Sequence, residues 1–225
     1  MKKETIILSL GGSLIVPDGI NIQFIKDFRK LILSHIKSKR FCIVCGGGKT
    51  ARNYQNAAKN ISPTTKEELD WIGIAATRVN AHLVRAIFGK KAHKEVINDP
   101  TKKVKAKENI IIAAGWKPGW STDYDAVLLA KQFDAKYILN LSNQQYVYNK
   151  DPAKFKDAKP IRALSWKEYK KLIGMKWKPG RSVPFDPMAT AAAEKLGLKV
   201  IVMSGDIKNI SNFLSGKKFI GTIIE

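Results

Sequence analysis

The chain has 225 residues and a formal charge of +21, from 40 Lys and Arg against 19 Asp and Glu. That length fits one large α/β domain or two small ones and is enough to bury a substantial core, and no apolar run approaches the length of a membrane span. The charge excess is dispersed, with local clusters at Lys90, Lys91 and Lys94, at Lys102, Lys103, Lys105 and Lys107, at Lys176, Lys178 and Arg181, and at Lys217 and Lys218; no RNA- or DNA-binding motif accompanies it, so a generally basic surface is the favoured reading over nucleic-acid binding.

Lys3 leads directly into a buried-type strand, Thr5–Leu10, with no long apolar stretch or cleavage site before it. No signal peptide is therefore expected, and the expected compartment is the cytoplasm. The strand runs into Gly11-Gly12-Ser13. Ile22–Ile36 carries Ile22, Ile25, Phe28, Ile32 and Ile36 at helical spacing. Phe41–Cys45 is a second strand and ends in Gly46-Gly47-Gly48-Lys49-Thr50-Ala51-Arg52. Consecutive glycines let the backbone turn sharply and approach a ligand. Their amides, with those of the helix start that follows, point at an anion. Lys49 and Arg52 add charge at the positive end of that helix, an unfavourable placement that a bound anion relieves. This is a phosphate-binding turn, though the P-loop spacing is missing. Cys42 and Cys45 are an odd number of residues apart on a strand. They therefore face opposite sides and read as small buried apolar residues. His35, His82 and His93 lack ligand spacing, so no structural metal site is expected.

Glu67–Phe88 reads as a long helix on which Asp70, Gly73, Thr77 and Ala81 share a face. That face suits a polar ligand or another helix. Ala92–Glu108 shows no usable period. Asn109–Ala114 is a strand, Gly115–Thr122 a loop and Asp123–Phe133 a helix. Ser121, Thr122 or Asp123 can cap that helix or bond a phosphate there. Trp116 and Trp120 either stack on a base or pack the loop down. Tyr137–Leu141 is a strand, after which Ser142 to Pro152 places polar and aromatic groups at the sheet's edge. Lys154–Ile161 reads as a loop and Trp166–Ile173 as a helix. Pro187–Leu196 is a helix with proline in its first turn, and Asp186 is its N-cap, or orients a lysine or holds magnesium. Lys199–Met203, Ile207–Leu214 and Gly221–Ile224 close the chain as strand, helix and strand.

This alternation argues for a mainly parallel sheet with helices on both faces. In such sheets ligands collect at the carboxyl ends of strands. Gly11–Ser13, Gly46–Lys49 and Gly115–Thr122 all fall there. Phosphoryl transfer needs two phosphates held in line, with cations and amide dipoles on the moving charge, and these loops supply such groups. No internal repeat or low-complexity linker divides the chain, so 1–225 reads as a single domain.

Gly11-Gly12-Ser13, Gly46-Gly47-Gly48-Lys49 with Arg52, Asp70-Trp71-Ile72-Gly73 with Thr77-Arg78-Val79-Asn80-Ala81, Pro118-Gly119-Trp120-Ser121-Thr122-Asp123, Tyr148 to Asp151-Pro152 and Asp186-Pro187 follow one another in a known order. Over nearly its whole length the chain resembles the archaeal-type uridylate (UMP) kinases of the amino-acid kinase superfamily. The resemblance implies a three-layer α/β/α sandwich, transfer of a phosphoryl group from ATP to UMP with Mg2+ as cofactor, and a homo-oligomer, commonly a hexamer. It implies that Gly11 and Gly12 lie against the ATP phosphates, with Gly48 and Arg52 also near the nucleotide phosphates. Gly47 would contact UMP and Asp70 its ribose. Trp116, Lys117, Pro118, Gly119, Trp120, Ser121 and Thr122 would enclose UMP, and Ser142, Tyr148 and Asp151 would surround the adenosine of ATP. The expected catalytic set is Arg52, Lys49 and Asp186. Three departures stand out. Ser9 occupies a position where the superfamily often has lysine. Ala114-Gly115-Trp116 replaces Gly-Gly-Thr, and Gln145-Tyr146-Val147-Tyr148 replaces Asp-Gly-Val-Tyr, so a rebuilt ATP loop is expected. Two further readings stand beside the first: a kinase of another small phosphorylated or carboxylate acceptor, and a non-catalytic nucleotide- or oxyanion-binding relative.

Overall fold

The computed structural model describes residues 3–174 and 183–225, which leaves the basic positions Lys176, Lys178 and Arg181 outside the described residues. The first half of the chain contains β1 (Glu4–Leu10), α1 (Gly12–Ile15), α2 (Ile22–His35), β2 (Lys39–Cys45), α3 (Gly48–Ile61), α4 (Lys66–Phe88) and β3 (Ile110–Ala113). The second half contains α5 (Thr122–Phe133), β4 (Tyr137–Ser142), β5 (Val147–Tyr148), β6 (Pro160–Ile161), β7 (Ala163–Leu164), α6 (Trp166–Ile173), α7 (Pro187–Lys195), β8 (Lys199–Ser204), α8 (Ile207–Leu214) and β9 (Thr222–Ile224).

β1 is buried at every position after Glu4, the pattern of a strand covered on both faces. It is an inner strand, between β2 and β4, of a seven-stranded sheet of order β3-β2-β1-β4-β8-β9-β7. β1, β2, β3, β4 and β8 run parallel, and β9 pairs antiparallel with β8. Alternate side chains of each strand feed two separate cores. Ile6, Leu8, Leu10, Ile43 and Cys45 join Phe28 and Ile32 of α2 and Val84 of α4 on one face. Ile7, Cys42, Val44 and Ile138 join Val127 of α5 and Ala189 of α7 on the other. This is the α/β/α sandwich expected from the alternation of elements. Cys42 and Cys45 fall in different cores, and burial drives both thiols up, Cys42 to about 12 and Cys45 beyond it. They are packing residues with no thiolate chemistry at neutral pH.

Two local expectations are corrected, and one segment without a sequence assignment is placed. The chain after Gly11 closes into the single-turn helix α1, which the sequence does not announce. Pro160–Ile161 is not loop: it pairs antiparallel with Val147–Tyr148 as a small two-stranded sheet, where Pro160 is tolerated because short edge strands need few donors. The stretch from Ala92 tracks the outer edge of β3, with single parallel bridges at Ala92–Ile110 and Ile97–Ala113. The His93 and Ile97 amides there donate to the Ile110 and Ile112 carbonyls. The segment thus covers the sheet's exposed rim without a strand's periodicity.

Candidate functional site

β1 and β2 are neighbours in register from Glu4–Lys39 to Leu10–Cys45, so their glycine loops emerge side by side. The Gly46 amide donates to the Leu10 carbonyl at 2.9 Å. A Cβ added to Gly12 would fall 2.0 Å from the Gly48 nitrogen, and one added to Gly11 would fall 2.6 Å from the Leu141 carbonyl oxygen. Here glycine is required by backbone packed on backbone. Gly48 has φ +64°, a conformation that side chains resist, and it opens α3 directly. The sequence left the amides of this helix start free for an anion. The structure takes one away: the Lys49 amide donates to the Val16 carbonyl at 2.9 Å. Lys49 itself turns to Asp18, its Nζ 3.4 Å from the carboxylate. Arg52 follows on α3 and is exposed.

α4 ties this pair of loops to a third. Buried Asn80 donates through Nδ2 to the Gly46 carbonyl at 2.8 Å and to the Gly47 carbonyl at 3.2 Å. One turn earlier Thr77 accepts the Gly115 amide at 2.8 Å, and Arg78 donates to the Trp116 carbonyl at 3.3 Å. Nearer the start of the helix, the Asp70 carboxylate accepts the Gly119 amide at 2.9 Å. The shared face read from spacing is therefore real, and its ligands in this structure are the backbones of two loops. Asn80 was not singled out on that face. The signal available was an amide side chain falling among Ala81, Val84 and the other core positions of an amphipathic helix.

The 115–121 loop is built around its aromatic rings. The Lys117 ammonium lies 4.1 Å from the Trp116 ring centroid, a cation–π contact. Trp116 and Trp120 are 6.0 Å apart and Trp120 and Tyr124 4.2 Å apart. Gly119 turns the loop at φ +84°, next to half-buried Pro118. Ser121 is the residue that caps α5, accepting the Tyr124 amide, and Thr122 is the first helical residue.

Two carboxylates stand where α5 begins: Asp123, read from sequence as a candidate cap, and Asp125, which the sequence reading did not single out. Asp123 accepts the Ser9 hydroxyl at 2.9 Å and the Asp186 amide at 3.3 Å. Burial pushes its pKa to about 6 against the pull of those two donors, although part of its surface still meets solvent. Ser9, at the position where lysine is common, is thus partnered with the neighbouring carboxyl. Asp125 is wholly buried. Burial pushes its pKa to about 7, opposed by the Trp116 amide that it accepts and reinforced by Asp123 and Asp99. Asp186 caps α7 as expected, accepting the Met188 and Ala189 amides at 2.8 and 2.9 Å.

Beyond β4 lies a cavity of about 530 Å3 whose described lining includes Gln144, Tyr148, Lys150, Asp151 and Lys154, with Leu172, Ile173 and Val183 as its apolar side. Ser142 holds this turn by accepting the Gln144 amide at 3.1 Å, and Asp151 accepts the Ala153 amide at 3.0 Å. Tyr146 packs edge-on against Tyr148, 6.3 Å between centroids. Asp134 is the one described non-glycine residue at positive φ, so Tyr146 fits here without backbone strain.

Comparison with known proteins follows the same lines. The uridylate kinase of Thermoplasma volcanium is 35% identical over 226 aligned positions that cover 99% of this chain and 98% of the relative. That of Methanococcus aeolicus is 33% identical, covering 97% of this chain and 98% of the relative. The crystal structure of the Archaeoglobus fulgidus uridylate kinase superposes with a TM-score of 0.84 at 31% identity, covering 98% of this chain and 99% of that one. The UMP kinase of Ureaplasma parvum, at 19% identity and a TM-score of 0.80, shares the fold. The profile described as Amino acid kinase family matches residues 4–204, and with paired glycine loops at the carboxyl edge of this sheet the chain belongs to that family.

Proposed function

We propose that this chain is a uridylate kinase that transfers the γ-phosphoryl group of ATP to UMP, giving UDP and ADP. The observation that carries the reading is the joining of the 115–121 loop by Thr77 and Arg78, and of the Gly46–Gly48 loop by Asn80, to one helix at the sheet edge, with the Gly12 backbone packed on Gly48 beside them. It is supported by full-length relatives of that name. A phosphate oxygen of UMP attacks the γ-phosphorus, the bond to the β–γ bridging oxygen breaks, and ADP leaves with its electron pair. The protein's work in such a reaction is positioning and charge stabilisation. Gly11, Gly12 and Gly48 bring backbone amides to the phosphates. Arg52 spans transferred and accepting groups. Lys49 leaves Asp18 to join them, since an exposed ion pair is worth only about 0–1 kcal/mol. Gly47, Asp70 and residues 116–122 receive UMP, and the cavity lined by Tyr148 and Asp151, with Ser142 at its edge, receives the adenosine.

Mg2+ is the cofactor of this reading. Magnesium holds few protein ligands and several phosphate and water oxygens, and Asp186, a carboxylate at the mouth of the site, is of the donor class it takes. When bound, it neutralises charge on the phosphates. The chain acts as one domain over 1–225, in the cytoplasm, as a homo-oligomer for which the resemblance implies a hexamer. Exposed Tyr54 and Ile61 on α3 and Trp71 and Val79 on α4 offer the apolar face for it. A coupled ADP-release assay across nucleoside monophosphates tests the whole reading. UMP is expected to be the best acceptor. A preference for a different acceptor would assign the tryptophan loop to that compound, and no release with any acceptor would make the chain a binding protein.

A further inference from the structure

Asp125 is wholly buried in the first turn of α5. Its Oδ2 accepts the Trp116 amide at 3.1 Å, and its Oδ1 is buried with no hydrogen-bond partner among the described residues. A carboxyl group held this way costs more than an apolar side chain of the same volume. A local rule broken inside an otherwise consistent core points to function. The charged groups around it are Asp123 on the same helix and Asp99 from the segment beside β3. From α4, Arg78 reaches the Trp116 carbonyl and keeps its own Nε buried and unpaired among the described residues. Both backbone polar groups of Trp116 are therefore gripped, the carbonyl from α4 and the amide from α5. Trp116 begins the aromatic row that continues through Trp120 to Tyr124. Where its backbone is fixed, the row is fixed.

We propose that Asp125 is a positioning residue for acceptor recognition: by holding the Trp116 amide it sets the aromatic face that meets the base of the nucleoside monophosphate. This rests on the reading of the 115–122 loop as the acceptor site. Two substitutions separate its roles. Asp125→Leu fills the space with no acceptor, and Asp125→Asn keeps an acceptor without the charge. In full-length protein, Asp125→Leu is expected to raise KM for UMP about tenfold or more, with KM for ATP and kcat within about threefold of the parent. Asp125→Asn is expected to keep all three within about threefold. A purely structural carboxyl predicts the reverse for Asp125→Leu, a higher melting temperature with an unchanged KM for UMP, and that result overturns the proposal. So does a parallel rise in both KM values. Amide exchange at Trp116, measured without nucleotide, supplies an arm independent of activity: faster in Asp125→Leu, parental in Asp125→Asn. Parental exchange in Asp125→Leu also overturns it. Asp125→Val repeats each arm with a smaller side chain should leucine not be accommodated. A parent protein that releases no ADP with UMP defeats the functional reading instead, and the exchange arm still decides Asp125.

Discussion

Under the proposed function, single residues divide between those assigned to a ligand and those that hold the loops. Arg52 is proposed for the first group, exposed on α3 directly after the glycine turn. Arg52→Ala should cost about 2–4 kcal/mol of transition-state stabilisation, as removal of a preorganised electrostatic group does, with an unchanged melting curve. Parental turnover in the folded variant would remove Arg52 from the catalytic set. Asp125 belongs to the second group, and its burial has a sign that can be measured. The folded chain releases its proton near 7, the unfolded chain at the ordinary aspartate value of about 4. Between those values the folded state binds more protons. The stability contributed by the neutral form is therefore complete below the lower value and lost as pH rises through the upper one. Asp125→Asn should melt above the parent at about pH 8, with the gap closing toward about pH 5. A gap that does not change with pH would place the buried charge elsewhere.

At the scale of elements, α4 is the organiser. Its Asn80 donates to the carbonyls of Gly46 and Gly47, so Asn80→Leu leaves the Gly46 carbonyl without that donor and the Gly47 carbonyl with the Ala51 amide alone. A loss of about 1–3 kcal/mol in unfolding free energy is expected, together with weaker calorimetric binding of both nucleotides. An undiminished affinity for either would show that the loop holds itself. The central strands and most helices were legible from sequence because their patterns are strong: unbroken apolar runs for buried parallel strands, and caps such as Ser121 and Asp186. The glycine loops were legible as sharp turns at the sheet's carboxyl edge, since adjacent glycines allow the close backbone approach found between Gly12 and Gly48. What escaped was set by tertiary contact. α1 and the β5–β6 pair are too short to carry a period. The stretch from Ala92 is shaped by the edge it covers, and Ser9, Asn80, Asp123 and Asp125 declare their roles only through partners far away in the chain.

For the molecule as a whole, the charge of +21 works against self-association, while the apolar face proposed on α3 and α4 would work for it. Val79, 65% exposed on α4, offers the test. Val79→Glu should lower the sedimenting mass to that of a monomer if this face joins copies, and an unchanged mass would move the interface elsewhere. The closeness of the Gly12 and Gly48 backbones has a consequence at the same scale. The two loops can meet only when β1 and β2 are in their native register, because a slip of one residue would carry Gly12 about 3.3 Å along its strand. A nucleotide laid across both loops is therefore a clamp on the middle of the sheet. Its binding free energy is recovered only by a correctly threaded chain, so saturating nucleotide should delay global unfolding and suppress misregistered folding intermediates together.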